Sequence, residues 1–405
     1  MIGRRMSLEQ RPTAPKFFVP LESLRGLAAL VVVVYHAVWT NPVTALNFFQ
    51  NGALMVDFFF VLSGFVIFHS YGQKLGSLRS IGRFLWLRIG RLYPLHLAFL
   101  LVFLAFECAK FAAEKRFGII ADKPAFTVNG GYALLSNLLL LHSMGLHNSL
   151  TFNYPSWSIS VEFYAYVLFA LVRSAFTTLR WFVVAAFGVI GLSTAILLWL
   201  HVVPLVNAGF DYGYFRCCAG FFLGTLVYCA YAHLCQSQSG AQPSHSLRLL
   251  SGASLAGMIL VLTFIDPNGW ATYLLPPLSA LVILTVMLWP LPAVQRILSS
   301  GPLAWLGRVS YSLYMVHAAL VWIITQLLTV VLKYPKIELA DGHGVATPGG
   351  VGVAVLIVYI AAVLLLSHFT YRWIEVPFRQ RSRQVADRWF GNRSDALVVS
   401  PVGRH

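Results

Sequence analysis

Charge is scarce in this sequence: only 11% of its 405 residues are Asp, Glu, Lys or Arg. With 58% hydrophobic residues and a mean hydropathy of +0.73, a soluble domain is excluded and an all-α polytopic membrane protein is expected. Acidic side chains are scarcer still, 14 against 29 Lys and Arg, which leaves a net charge of +15. In a soluble chain that surplus would suggest nucleic acid. Here lysine and arginine collecting in cytosolic loops accounts for it, and no nucleic-acid partner is expected. Cysteine is sparse as well. Cys108, Cys217, Cys218, Cys229 and Cys235 form no CxxC pair and have no histidine at metal-ligand spacing, so neither a disulfide framework nor a metal site is expected. No repeat period stands out. Arg4, Arg5 and Arg11 precede the first apolar run as in a secretory signal, but no small-residue cleavage site follows, so that run is expected to be a retained span.

What the chain does have is long apolar windows. They recur near 21–41, 52–72, 91–113, 155–173, 180–201, 212–233, 247–265, 271–290, 303–332 and 349–373, each of bilayer-crossing length. About ten transmembrane helices result, with both termini cytosolic. An eleventh piece, Tyr132 to Met144, suits a re-entrant or interfacial segment better than a full crossing. This topology puts most of the basic residues inside, leaving Lys110, Lys115, Arg116, Lys123, Arg216, Lys333 and Lys336 outside or at outer ends. A full crossing by 132–144 would turn three arginine-bearing loops outward and weaken the bias. Residues 1–19 are expected to form a cytosolic arm, 20–379 a single membrane domain, and 380–405 a mobile basic tail.

The first span, LESLRGLAALVVVVYHAVWT, carries two groups that a plain anchor does not need. Arg25 and His36 are eleven residues apart, about three turns, so they share a face roughly 16 Å apart along the axis. Burying such groups in lipid is costly and marks function. The bland alternatives are an arginine snorkelling to the surface and a histidine bonded to a neighbouring helix. Depth arithmetic sorts the other polar groups. His36, Asp57, Glu162 and His317 come from four spans and fall on one level, roughly 8–10 Å below the outer boundary. Ser63, Trp157, Ser158, Tyr311 and Tyr314 lie nearby in the same spans. Arg25, Arg88 and Arg91 form a cytosolic layer. The last two stand three apart in RIGRLYP, hence side by side on a helix, and paired guanidinium forks suit phosphate oxygens. Ordinary positive-inside flanking is the plain alternative for them. Glu375, in WIEVPFR, is expected to clamp a cytosolic arginine.

Two layouts fit an inner anion site joined to an outer acid/base site: an enzyme with a phosphate-bearing donor inside and an acceptor outside, or a proton-coupled exporter of a glycolipid or small molecule. The ordered set ESLRGLAALVVVVYH, VDFFFVLSGF, RIGRLYP, PSWSISVEFY, SYSLYMVH and WIEVPFR, over residues 18–379, resembles the acyltransferase 3 family of bacterial membrane-bound O-acyltransferases. The resemblance implies an acyl-CoA donor, acetyl-CoA by default, taken from the cytosol as substrate with no permanently bound cofactor. It also implies a carbohydrate or lipid-linked glycan acceptor and a place in the bacterial inner membrane. Arg25 and His36 fall on the family's Arg-x10-His pair, Arg88 and Arg91 on its RxxR motif, and Glu162 and His317 on polar positions of later spans. Met55 stands where the family usually has glycine. No C-terminal SGNH-type hydrolase-like domain is expected, so a mechanism needing one would use a separate protein; a glycan-assembly protein is among the expected partners. On this view His36 is catalytic base or acyl carrier, and Asp57, at matching depth, fixes its tautomer.

Overall fold

A computed structural model describes residues 18–118, 123–237, 243–339 and 342–391. The chain opens with α1 (Val19–Tyr35), a short α2 (Asn47–Gln50) and α3 (Met55–Tyr71). The longest helix, α4 (Leu78–Phe117), is followed by α5 (Gly131–Leu138), α6 (Trp157–Ala175), α7 (Leu179–Trp199) and α8 (Gly213–Ser237). Then come α9 (His245–Phe264), α10 (Leu275–Leu288), the short α11 (Pro292–Leu298) and α12 (Gly301–Gln326). An antiparallel hairpin of β1 (Lys336–Leu339) and β2 (Gly342–Val345) leads to α13 (Gly349–Thr370), a π-turn over Tyr371–Glu375, and α14 (Val376–Phe390). Among the described residues nine helical segments are long and apolar enough to cross a membrane. Adding α1, whose 17 residues reach about 26 Å, gives the expected ten. The eight-residue α5 is far too short to cross, as its apolar run suggested.

Close backbone approaches hold the inner helices together. A Cβ on Gly26 of α1 would lie 2.6 Å from the Gly307 nitrogen of α12, and one on Gly307 would lie 2.3 Å from the Glu22 oxygen. Gly64 of α3 and Gly224 of α8 meet in the same way, against Phe221 and Val61. In a bilayer, where apolar burial between helices gains little, small residues let backbones touch and dispersion contacts accumulate. Outward faces stay apolar: Trp181, Val184, Phe187, Leu192 and Leu198 of α7 are all exposed.

Three boundaries depart from expectation. The first span was expected to run to residue 41 with His36 deep inside; α1 stops at Tyr35, and His36 caps it, its amide donating to the Val32 and Val34 carbonyls. The chain leaves the helix there because other partners are available. Val345 donates to the Val38 carbonyl at 2.9 Å, Thr40 donates back to the Val345 carbonyl at 3.0 Å, and the Trp39 indole donates to Gly352. The third span was expected over 91–113, but α4 begins at Leu78, capped by a reciprocal Ser77/Ser80 pair, and runs through Pro94 for 40 residues, about 60 Å. Finally, residues expected in a mobile tail from 380 continue as helix to Phe390. There α14 lies on the start of α4, with the Trp86 indole donating to the Ser382 carbonyl at 3.0 Å and Trp86 against Trp389. The expected arm, apart from Phe18 and Val19, and the tail beyond Gly391 lie outside the described residues.

Candidate active site

Three arginines from two helices meet in one cavity of about 110 Å³. Arg25 comes from α1 and Arg88 and Arg91 from one face of α4. Ser63 of α3, Ser158, Glu162 and Tyr166 of α6, and Ser310, Tyr311 and Tyr314 of α12 complete the polar part of the wall. Arg25 is fixed to α12, its Nε donating to Ser310 Oγ and its Nη2 to the Gly307 carbonyl, both at 2.8 Å. Arg88 donates to Tyr71 Oη at 3.2 Å and lies over the Tyr71 and Phe84 rings. Arg91 lines the cavity without a hydrogen bond or ion pair among the described residues, and the buried Glu375 is the opposite charge that acts on it most strongly. Three guanidiniums against one lining carboxylate give the cavity wall a surplus of positive charge, which suits an anion. Glu375, buried at 3% exposure in the π-turn, accepts from Arg379 at 3.4 Å and from Ser312 at 3.3 Å, the expected clamp on an arginine.

Glu162 belongs to this cavity rather than to the histidines. Its Oε1 accepts from Ser63 and from Tyr166, one turn along α6, each at 2.5 Å. The depth count that grouped it with His36 gave height along the helix but not the direction in which the side chain leaves it.

His36 and His317 do come together, with ring centroids 4.9 Å apart. Tyr154, from the turn before α6, packs 5.2 Å from His36 and 6.3 Å from His317. His36 Nδ1 lies 2.9 Å from the Val32 carbonyl. A carbonyl can only accept, so Nδ1 carries a proton, the arrangement that leaves Nε2 as the nitrogen able to act as a base when the ring is neutral. His317 is fully buried, and neither of its ring nitrogens has a hydrogen-bond partner among the described residues.

Asp57 is not the group that orients His36. Arg216 of α8 takes both of its oxygens, Nε to Oδ1 at 2.9 Å and Nη2 to Oδ2 at 2.8 Å, with both side chains 1% exposed. Arg216 also donates to the Val206 and Ala208 carbonyls and sits 5.4 Å from the Trp157 ring. The physical reason is packing: α3 lies along α8, whereas α1 lies along α12, so Asp57 faces a different neighbour. Arg216, assigned from sequence to an outer helix end, is the partner that was missed. Its position inside an apolar run was the available signal, because a buried charge needs an opposite one.

Among the described residues no group of His, Cys, Asp and Glu is placed to hold a metal ion. The structure therefore brings Arg25, Arg88, Arg91 and Glu162 into one cavity and His36 and His317 into another cluster. Asp57 stands apart from both.

The model of a family described as an acyltransferase domain, Acyl_transf_3, matches residues 19–371. The chain is 24% identical over 393 residues to the O-acetyltransferase OatA of Staphylococcus aureus, across 91% of this chain and 58% of that protein. It is 24% identical over 387 residues to the peptidoglycan O-acetyltransferase OatA of Listeria monocytogenes, across 90% of this chain and 56% of that protein. To "Protein 2 in picA locus" of Rhizobium radiobacter it is 34% identical over 170 residues, 38% of this chain and 82% of that protein. The chain thus spans less than two thirds of the length of these OatA proteins. No solved structure matches it.

Proposed function

The chain belongs to the acyltransferase-domain family Acyl_transf_3, and on that premise we propose that it is a membrane-bound O-acyltransferase. In this reading an acyl group, acetyl by default, moves from cytosolic acyl-CoA to a hydroxyl of a cell-surface glycan or glycolipid at the bacterial inner membrane. The observation that carries it is the convergence of three guanidiniums on a cavity whose wall residue Tyr314 stands 5.7 Å, ring to ring, from His317. A phosphate-bearing donor and a buried acid/base pair are then neighbours. Arg91, which makes no hydrogen bond among the described residues, is the principal phosphate ligand, helped by Arg88 and by the remaining N–H groups of Arg25. At about 110 Å³ the cavity suits a slender chain such as a pantetheine arm, with the nucleotide at its mouth. Glu162 orders Ser63 and Tyr166 along that arm.

His36 Nε2 takes the proton from the acceptor hydroxyl as its oxygen attacks the thioester carbonyl. The new C–O bond forms, the C–S bond breaks, and the proton returns to the departing thiolate. His317 donates an N–H to the oxygen on which charge develops. Radiolabelled acyl trapped on the protein without acceptor would instead make His36 the carrier. The acceptor would reach the histidines from the outer side, delivered by a glycan-assembly protein. The likeness to the Listeria monocytogenes peptidoglycan O-acetyltransferase supports the acyl group and the class of acceptor. The test is to compare surface glycan and lipid masses with and without the expressed protein. An acyl increment supports the proposal; identical masses in every fraction would overturn it.

A further inference from the structure

The cavity and the histidine pair do not run into each other. Neither His36 nor His317 lines the cavity, while Tyr314, one turn before His317 on α12, does. The Tyr314 ring is 6% exposed and lies 5.7 Å from the His317 ring on one side and 5.9 Å, edge to face, from Phe59 on the other. Two hydrogen bonds hold it there. Its hydroxyl donates to the Pro155 carbonyl at 2.9 Å and accepts from Ser158 Oγ at 2.9 Å. Pro155 and Ser158 flank the start of α6, the same turn that sets Tyr154 against both histidines.

We propose that Tyr314 is a specificity-determining residue that partitions the donor cavity from the histidine pair and limits the length of the acyl group. This rests on the acyl-CoA reading of the cavity. The acyl end of the donor lies against the ring. For its carbonyl carbon to come within reach of His36, the ring turns aside, releasing Ser158 and Pro155, and the acyl group occupies the space vacated. That space is the size of one aromatic side chain lined by Phe59, Ser158 and His317. A short acyl group fits, and each further methylene has to be forced into packed neighbours, a discrimination on the order of tenfold. Tyr311, one turn earlier on the cavity wall, does not stand at this partition: its hydroxyl donates to the Leu92 carbonyl on α4, whereas the Tyr314 ring packs on His317.

The test uses the full-length protein purified in detergent, with acetyl-, propionyl- and butyryl-CoA as donors and membrane glycolipid extract as acceptor. Binding of the matching non-hydrolysable thioether analogues is measured in parallel. The wild type is expected to prefer acetyl over butyryl by at least about tenfold. Tyr314→Ala and Tyr314→Leu should raise the butyryl-to-acetyl ratio by a similar factor. Tyr314→Phe, which keeps the ring and loses both hydrogen bonds, should change the rate but leave the ratio near that of the wild type. A purely structural tyrosine would lower all donors alike. The proposal is overturned if the wild type uses butyryl as well as acetyl, or if folded Ala and Leu variants keep the wild-type ratio. If no CoA analogue binds the wild type, the donor reading itself fails and this inference goes with it.

Discussion

At the scale of single residues, the guanidiniums and imidazoles differ in how free they are. Arg25 already spends two donors on α12 and Arg88 is stacked on two rings, whereas Arg91 makes no hydrogen bond among the described residues. Arg91→Ala should therefore weaken donor binding most, by about 2–3 kcal/mol if it loses a bidentate charge-assisted contact, and Arg25→Ala should act mainly through packing. Titration calorimetry with a CoA thioether on both variants checks this; equal affinities would remove Arg91 from the phosphate site. The grouping of Arg25 with Arg88 and Arg91 and of His36 with His317 was legible in the sequence, because eleven-residue spacing and distance from span ends translate directly into height. Asp57 and Glu162 were grouped with the histidines by height, whereas the structure sets Asp57 against Arg216 and Glu162 against Ser63 and Tyr166. Height follows from counting residues, while the direction of a side chain depends on which helices pack together, and an apolar helix with near-uniform hydrophobicity records that poorly. The Val32 carbonyl that fixes the His36 tautomer is backbone, and no residue pattern announces it.

Among the elements, the Asp57–Arg216 pair works as a brace between α3 and α8, beside the Gly64–Gly224 contact. Removing one partner leaves a buried, uncompensated charge, so Asp57→Ala should cost about 3–5 kcal/mol of stability. The Asp57→Ala/Arg216→Met double variant should recover much of that. Detergent-solubilised thermal unfolding measures both, and an unchanged midpoint in Asp57→Ala would contradict the brace. Activity per folded molecule should survive in the double variant, which a catalytic Asp57 would forbid. Ten spans were countable because runs of about twenty apolar residues are a strong signal. The true ends of α1 and α4 were not, since they depend on the hairpin that pairs with residues 38–40 and on the Ser77 cap. The helical course of 380–390 was hidden by its many arginines; its contacts with α4, through Trp86 and the Arg83–Asp387 pair, hold it there.

For the molecule as a whole, the loop between α5 and α6 carries a pH signature. His142 stacks on His96, ring centroids 5.5 Å apart, and lies 3.1 Å from Ser156 Oγ. Burial, reinforced by repulsion from His96, pushes His142 down to about 3, against an ordinary value of 6.5. Folded His142 thus stays neutral where the unfolded chain would already be protonated. Its contribution to stability is complete above pH 6.5 and is lost as pH falls from 6.5 toward 3, about 2 kcal/mol by pH 5. Thermal midpoints between pH 7 and 5 should fall in the wild type and fall less in His142→Phe; parallel slopes would refute the assignment.

In the mechanism we propose, acyl groups entering at the arginines leave through His36. The most direct measurement is the acyl increment on surface glycans and lipids of cells expressing either the wild-type protein or His36→Ala, with equal amounts of each verified in the membrane. The increment should be present with the wild type and absent with His36→Ala. An undiminished increment from His36→Ala would contradict the account.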